Sequence, residues 1–126
     1  MFDKLKSMTA LAGLMQNKAK VEEAAERVKR EMQEVRCDGE AGGGAVRVTV
    51  GGDMMVLAIE MTPALAAGLA ASDSAREYAQ TLVRDATNGA LVRARERVRQ
   101  IVQREADALG IGDLTADLGG MKHLLP

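Results

Sequence analysis

Four arginines alternate along the run Leu91–Gln100: Arg93, Arg95, Arg97 and Arg99. Such alternation is compatible with a strand. On a helix, where each residue turns about 100°, the arginines divide into two rows instead. Arg93, Arg97 and Arg104 fall on one flank of an apolar stripe, and Arg95, Arg99 and Arg84 on the other. A helix rimmed by guanidinium groups can grip phosphates, because each planar fork offers paired N–H donors to an oxyanion. A second reading stands beside it, in which the arginine stems simply cover the helix's own apolar stripe and the heads stay in water. Lys4, Lys6, Lys18 and Lys20 form a second basic group, extended by Lys29 and Arg30 and diluted by nearby glutamates. The chain has one Tyr, one Phe and no Trp, so it lacks the stacking platforms of single-strand binders. Any nucleic acid partner is expected to be double-stranded DNA, held through its backbone with little sequence preference and strong salt dependence.

Other chemistries find little to rest on. His123 is the only histidine and lies three residues from the last position, a poor place for a rigid triad. Cys37 is the only cysteine, so neither an internal disulfide nor a zinc site of several Cys and His ligands can be assembled. Asp38 and Glu40 flank Gly39 on one side of a possible strand, where an acid/base or metal role is conceivable but a solvated edge is the simpler reading. The glycines of Gly39–Gly44 lead into a strand, and no Lys-Ser/Thr pair follows, so they read as a loop needing positive φ rather than a phosphate cradle. No enzyme activity, metal, cofactor or small-molecule substrate is expected.

The elements that position the basic rows follow from periodicity. Residues 3–36 contain no Pro and one Gly. Leu11, Leu14, Val21, Ala25, Val28, Met32 and Val35 form a heptad-like stripe, with Leu5, Met8, Ala12, Met15 and Ala19 beside it near the N-terminus. One long helix is expected there, with surface pairs such as Glu26–Arg30. The period changes at Cys37. Val46, Val48 and Val50 alternate with Arg47 and Thr49 as in a half-buried strand. Gly51-Gly52-Asp53 should reverse the chain into a second strand over Met54–Met61, and residues 35–40 can supply a third. Pro63 opens a short segment over 63–71, and Ser72-Asp73-Ser74 offers the cap of a long helix over about 74–108. The apolar stripe of that helix is Ala79, Val83, Ala86, Ala90, Ala94, Val98 and Ile101, supported by Leu82, Leu91 and Val102. Gly89 interrupts it and Gly110 stops it. The expectation is one domain over residues 1–109 and a flexible tail over 110–126.

The net charge is −1, which by itself argues against nucleic acid. Its distribution points the other way. Residues 1–36 and 76–108 each carry net +2, residues 37–75 net −4, and residues 109–126 net −1. The basic excess sits on the two helical segments. No apolar run suits a signal peptide or a membrane span, so the cytoplasm is the expected compartment and no membrane partner is expected.

The stretch from Val35 to Leu65 resembles the core of the YbaB/EbfC nucleoid-associated family. That core runs V-x-G-x-[AS]-G-x-G-x-V-x-V-x-x-x-G and then I-x-[IM]-x-P-x-L. Matching residues are Val35 or Cys37, Gly39, Ala41, Gly42, Gly44, Val46, Val48, Gly52, Ile59, Met61, Pro63 and Leu65. The A-x-N-x-A element of the family's second helix is present as Ala86, Asn88 and Ala90, and the opening Met1-Phe2-x-Lys4-Leu5 and a Gly-rich tail also fit. The resemblance implies an α+β fold: an αβββα subunit with two long helices and a small antiparallel sheet, forming an intertwined homodimer. It also implies double-stranded DNA as partner, a place in the bacterial nucleoid, and a role in nucleoid organisation, gene expression or recombination. Basic residues of the two helices would carry the contact, here Lys4, Lys6, Lys18, Lys20, Arg93, Arg95, Arg97 and Arg99, although these positions are not themselves part of the motif. Three features depart from the pattern: a denser arginine run, the apolar strand segment Met54–Ala58, and the segment 66–76 with the longer tail. The alternative is a homodimeric protein-interaction module without DNA affinity, using the heptad stripe and the Met-rich hairpin.

Overall fold

In the computed structural model, the structure describes residues 2–16 and 18–110. His123 and the expected tail, apart from Gly110, lie outside the described residues. The elements run α1 (Phe2–Gln16), α2 (Lys18–Glu34), β1 (Arg36–Ala41), β2 (Val46–Gly51), β3 (Val56–Met61), α3 (Pro63–Ala71) and α4 (Asp73–Ala108). This is the expected α+β order. The helix expected over 3–36 is present as α1 and α2 on either side of Asn17, which is itself outside the description. Helix α2 ends at Glu34, where Arg36 donates from Nη1 to the carbonyl oxygens of Gln33 (2.9 Å) and Val35 (2.8 Å). A cation satisfying terminal carbonyls suits a helix C-terminus.

The described residues fall into two compact units, one of residues 32–98 and one of residues 1–31 with those from 99 onward. In the first, the three strands form an antiparallel sheet of order β1-β2-β3. Val48 stands opposite Gly39 on one side and Ile59 on the other. Val46, Val48 and Val50 are fully buried, and Arg47 between them is exposed. Helix α4 supplies the other half of the core through Ala79, Leu82, Ala86, Ala90 and Ala94, spaced three and four apart. Burying each valine contributes roughly 1.5–3 kcal/mol. A face of alanines lets the helix backbone come close, and Gly39 accepts it. A Cβ on Gly39 would lie 2.0 Å from the carbonyl oxygen of Ala86 and 2.4 Å from the nitrogen of Ala90.

The loops follow backbone chemistry. Gly42, Gly43 and Gly44 take φ of 66°, 67° and 92°, a run that side chains rarely adopt. These residues form the loop with positive φ that was expected of them, a turn directly into β2. The second turn differs from expectation. Gly51 remains in β2, and the strand after the turn begins at Val56 rather than Met54. Met54 has φ of 65°, and its N–H donates to the Gly51 carbonyl at 3.0 Å, so it belongs to the reversal. The Asp53 carboxylate accepts the Met55 N–H at 3.1 Å and steadies the turn. Thr62 caps α3, its hydroxyl accepting the Leu65 N–H at 3.3 Å ahead of Pro63. Ser72 ends α3 and starts α4, its hydroxyl accepting the Ala75 N–H at 3.1 Å. Past α4, Gly110 takes φ of 78° and donates its N–H to the Asp107 carbonyl.

Strand β3 is left bare. Val56, Leu57 and Ile59 are 45%, 50% and 51% exposed, although Ile59 shares a face with fully buried Val48. A helix about 10 Å wide covers roughly two strands at about 4.8 Å spacing. Helix α4 lies on Gly39 of β1 and on the valines of β2, so the third strand extends beyond its cover.

In the second unit the buried residues are Ala24, Ile101 and Ala106. Here the expected N-terminal stripe needs correction. Ala25, assigned to the buried face, is exposed, whereas Ala24 is buried, with Val21 and Val28 half-buried. The stripe resumes at Val28 and Met32, both half-buried, so the miss is confined to the turn that holds Ala24 and Ala25. Leu5, Met8 and Leu11 are exposed.

Candidate nucleic-acid interface

The arginine run lies on α4, as its helical reading requires, and Arg93, Arg95, Arg97 and Arg99 are all exposed. Their surroundings differ. Arg93 donates from Nη1 to the Asp38 carbonyl of β1 at 2.9 Å, so one arm of its fork ties helix to sheet. Arg99 has a polar partner of its own. Arg95 and Arg97 make no ion pair or side-chain hydrogen bond among the described residues, and their forks are open to a ligand. The two outer members of the expected rows are engaged: Arg84 pairs with Asp85 at 3.1 Å, and Arg104 pairs with Glu31 of α2.

The lysine group lies on α1 (Lys4, Lys6) and the first turn of α2 (Lys18, Lys20). All four are exposed and without an ion pair among the described residues. The Glu26–Arg30 pair expected on α2 is not formed. Instead Arg27 donates from Nε to Glu105 of α4 at 3.2 Å, and its Nη2 lies 3.2 Å from the same oxygen. These cross-helix pairs were missed from sequence. The only available signal was Arg27 and Glu31 one turn apart on α2 with the adjacent, oppositely charged Arg104 and Glu105 on α4.

The acidic residues of the sheet are used structurally. Asp38 accepts the Thr49 hydroxyl at 2.7 Å, and Glu40 pairs with Arg47 at 3.1 Å across β1 and β2. Glu60 reaches the same Arg47 from β3 at 4.0 Å. These pairs occupy the carboxylates considered for acid/base or metal chemistry. Among the described residues no group of three or more His, Cys, Asp or Glu could hold a metal ion, and no helix is long and apolar enough to cross a membrane.

Known proteins resemble the chain over the same region. Residues 8–109 match the YbaB/EbfC DNA-binding family. A nucleoid-associated protein of a Nostoc species is 32% identical over 98 residues, covering 77% of this chain and 83% of the relative. A nucleoid-associated protein of Nostoc punctiforme is 30% identical over the same shares. One of Trichormus variabilis is 32% identical, again over 77% of this chain and 83% of its own length. With the strand, turn and long-helix order that the motifs require, the chain belongs to the YbaB/EbfC DNA-binding family.

Proposed function

We propose that this protein is a nucleoid-associated, non-enzymatic protein of the bacterial cytoplasm that binds double-stranded DNA as a homodimer. The observation that carries the reading is the pair of exposed, unengaged guanidinium groups of Arg95 and Arg97 on α4. Arg99 stands on the flank of Arg95 and the partly committed Arg93 on the flank of Arg97, and Lys4, Lys6, Lys18 and Lys20 form a further basic group. Exposed guanidinium and ammonium groups of this kind grip phosphates, and contact through the backbone carries weak sequence preference. The family membership and the names of the relatives support the same partner.

The bare face of β3 supports the dimer. Met55, Val56, Leu57 and Ile59 are exposed together beside α3, a helix of Ala, Leu, Gly and Pro with no buried residue. Apolar surface of this kind is normally covered by a partner. The same surface supports the second reading, a homodimeric protein-interaction module without DNA affinity.

The test is fluorescence anisotropy of a random-sequence duplex of about 30 base pairs at roughly 50 and 200 mM salt, a range over which phosphate contacts weaken steeply. Binding that falls with salt, and falls further in the R95Q/R97Q variant, is expected. The double variant should also flatten the log–log salt dependence by up to about 3.6, the equivalent of two lost phosphate contacts from each protomer. Absence of binding at the lower salt would leave the protein-interaction reading.

A further inference from the structure

The pairs between α2 and the end of α4 are reciprocal. Arg27 and Glu31 on α2 meet Glu105 and Arg104 on α4, so each helix contributes one cation and one anion. Glu105 is the better held, its side chain only 12% exposed, while Arg27 and Arg104 remain 43% and 56% exposed. Among the described residues of this unit, Ala24, Ile101 and Ala106 are buried. A carboxylate in the fork of an arginine uses the donors that a phosphodiester would use. The Arg104–Glu31 pair is the more exposed of the two, and exposed pairs are weak and exchange with another anion.

We infer that Arg27 and Arg104 form a second phosphate-binding pair, masked in the free chain by Glu105 and Glu31 acting as internal stand-ins for DNA phosphates. The inference rests on the DNA-binding reading above. Duplex DNA brings one negative charge per about 1.7 Å of its axis, a density that the two isolated carboxylates do not match. The carboxylates lower the affinity of the resting protein, and their displacement adds two contacts when DNA is held long enough by Arg95, Arg97 and the lysines. Glu31 and Glu105 thus set how tightly the protein holds DNA without touching it.

The experiment compares the full chain with E31Q/E105Q, with E22Q/E23Q as a charge-matched control on exposed glutamates of α2 that pair with nothing, and with the quadruple variant E31Q/E105Q/R27Q/R104Q. Anisotropy with the 30-base-pair duplex gives affinity and its salt dependence, and thermal melts confirm that each variant is folded. E31Q/E105Q is expected to bind about fivefold tighter than E22Q/E23Q with the same log–log salt slope, because the contacts in the complex are the same and only the displacement of the carboxylates is removed. The quadruple variant should lose that gain. The single E31Q, which keeps the Arg27–Glu105 pair, should bind about twofold tighter and serves if the double variant melts early. Equal affinities for E31Q/E105Q and E22Q/E23Q, or a gain that persists in the quadruple variant, overturn this inference while leaving DNA binding intact. If neither wild type nor any variant binds at low salt, the DNA reading falls and this inference falls with it.

Discussion

Arginine side chains in this protein divide by what their guanidinium groups meet. Arg93 is tied to a strand carbonyl, Arg27, Arg84 and Arg104 to carboxylates, and Arg95 and Arg97 to nothing described. Substitutions should separate these roles. R95Q/R97Q is expected to weaken DNA binding and leave the thermal midpoint within about 3 °C, because changes at exposed sites without partners usually alter stability by less than about 0.5 kcal/mol. Arg93→Gln should instead lower stability by about 0.5–1.5 kcal/mol, the usual worth of a hydrogen bond, as read in a urea melt. A quadruple Gln variant that includes Arg93 would mix the two effects. Helical phase puts Arg93 on a flank of α4, but nothing in the local sequence announces that Asp38 stands opposite. For that reason only the types and helical setting of the candidate site were legible, and not which members are open.

At the scale of elements, two glycines with opposite roles meet where α4 crosses β1. Gly39→Ala should cost more than about 3 kcal/mol, or prevent folding, because overpacking against rigid backbone exceeds the 1–3 kcal/mol typical of softer cores. Gly89→Ala should do the reverse. A Cβ there lies 3.9 Å from the Gly39 Cα, an ordinary contact, so the helix gains up to about 1 kcal/mol of propensity without a clash. Thermal melts of the two single variants test both signs. Most element boundaries were legible because their causes are local: alternating valines for β2, proline after a threonine for α3, a serine cap for α4. The start of β3 was misread because Met54 takes positive φ, which its residue type does not suggest. On α2 the expected stripe missed at one position, where Ala24 is buried and Ala25 exposed, while Val21, Val28 and Met32 are half-buried.

For the whole molecule, the uncovered strand bears on assembly. Ile59→Lys places a charge on the bare face of β3, at a position 51% exposed beside its cross-strand neighbour Val48, and it should shift the protein from dimer to monomer in sedimentation velocity. Its DNA affinity should fall by about tenfold or more, since two linked sets of contacts bind more tightly than one. A dimer that survives the substitution would place the interface elsewhere. The sequence alone determined the order of elements, the turns that need glycine, the family and the helices that carry the basic residues. These depend on backbone preferences and on periods of two and 3.6 residues, which act between near neighbours. Only the tertiary structure decided that α4 covers two strands and leaves β3 bare, and which cations stay open. Arg93 meets a carbonyl 55 positions away and Arg27 a carboxylate 78 positions away. Periodicity fixes the face on which a side chain stands, but what it meets there is set by distant segments that only folding brings together.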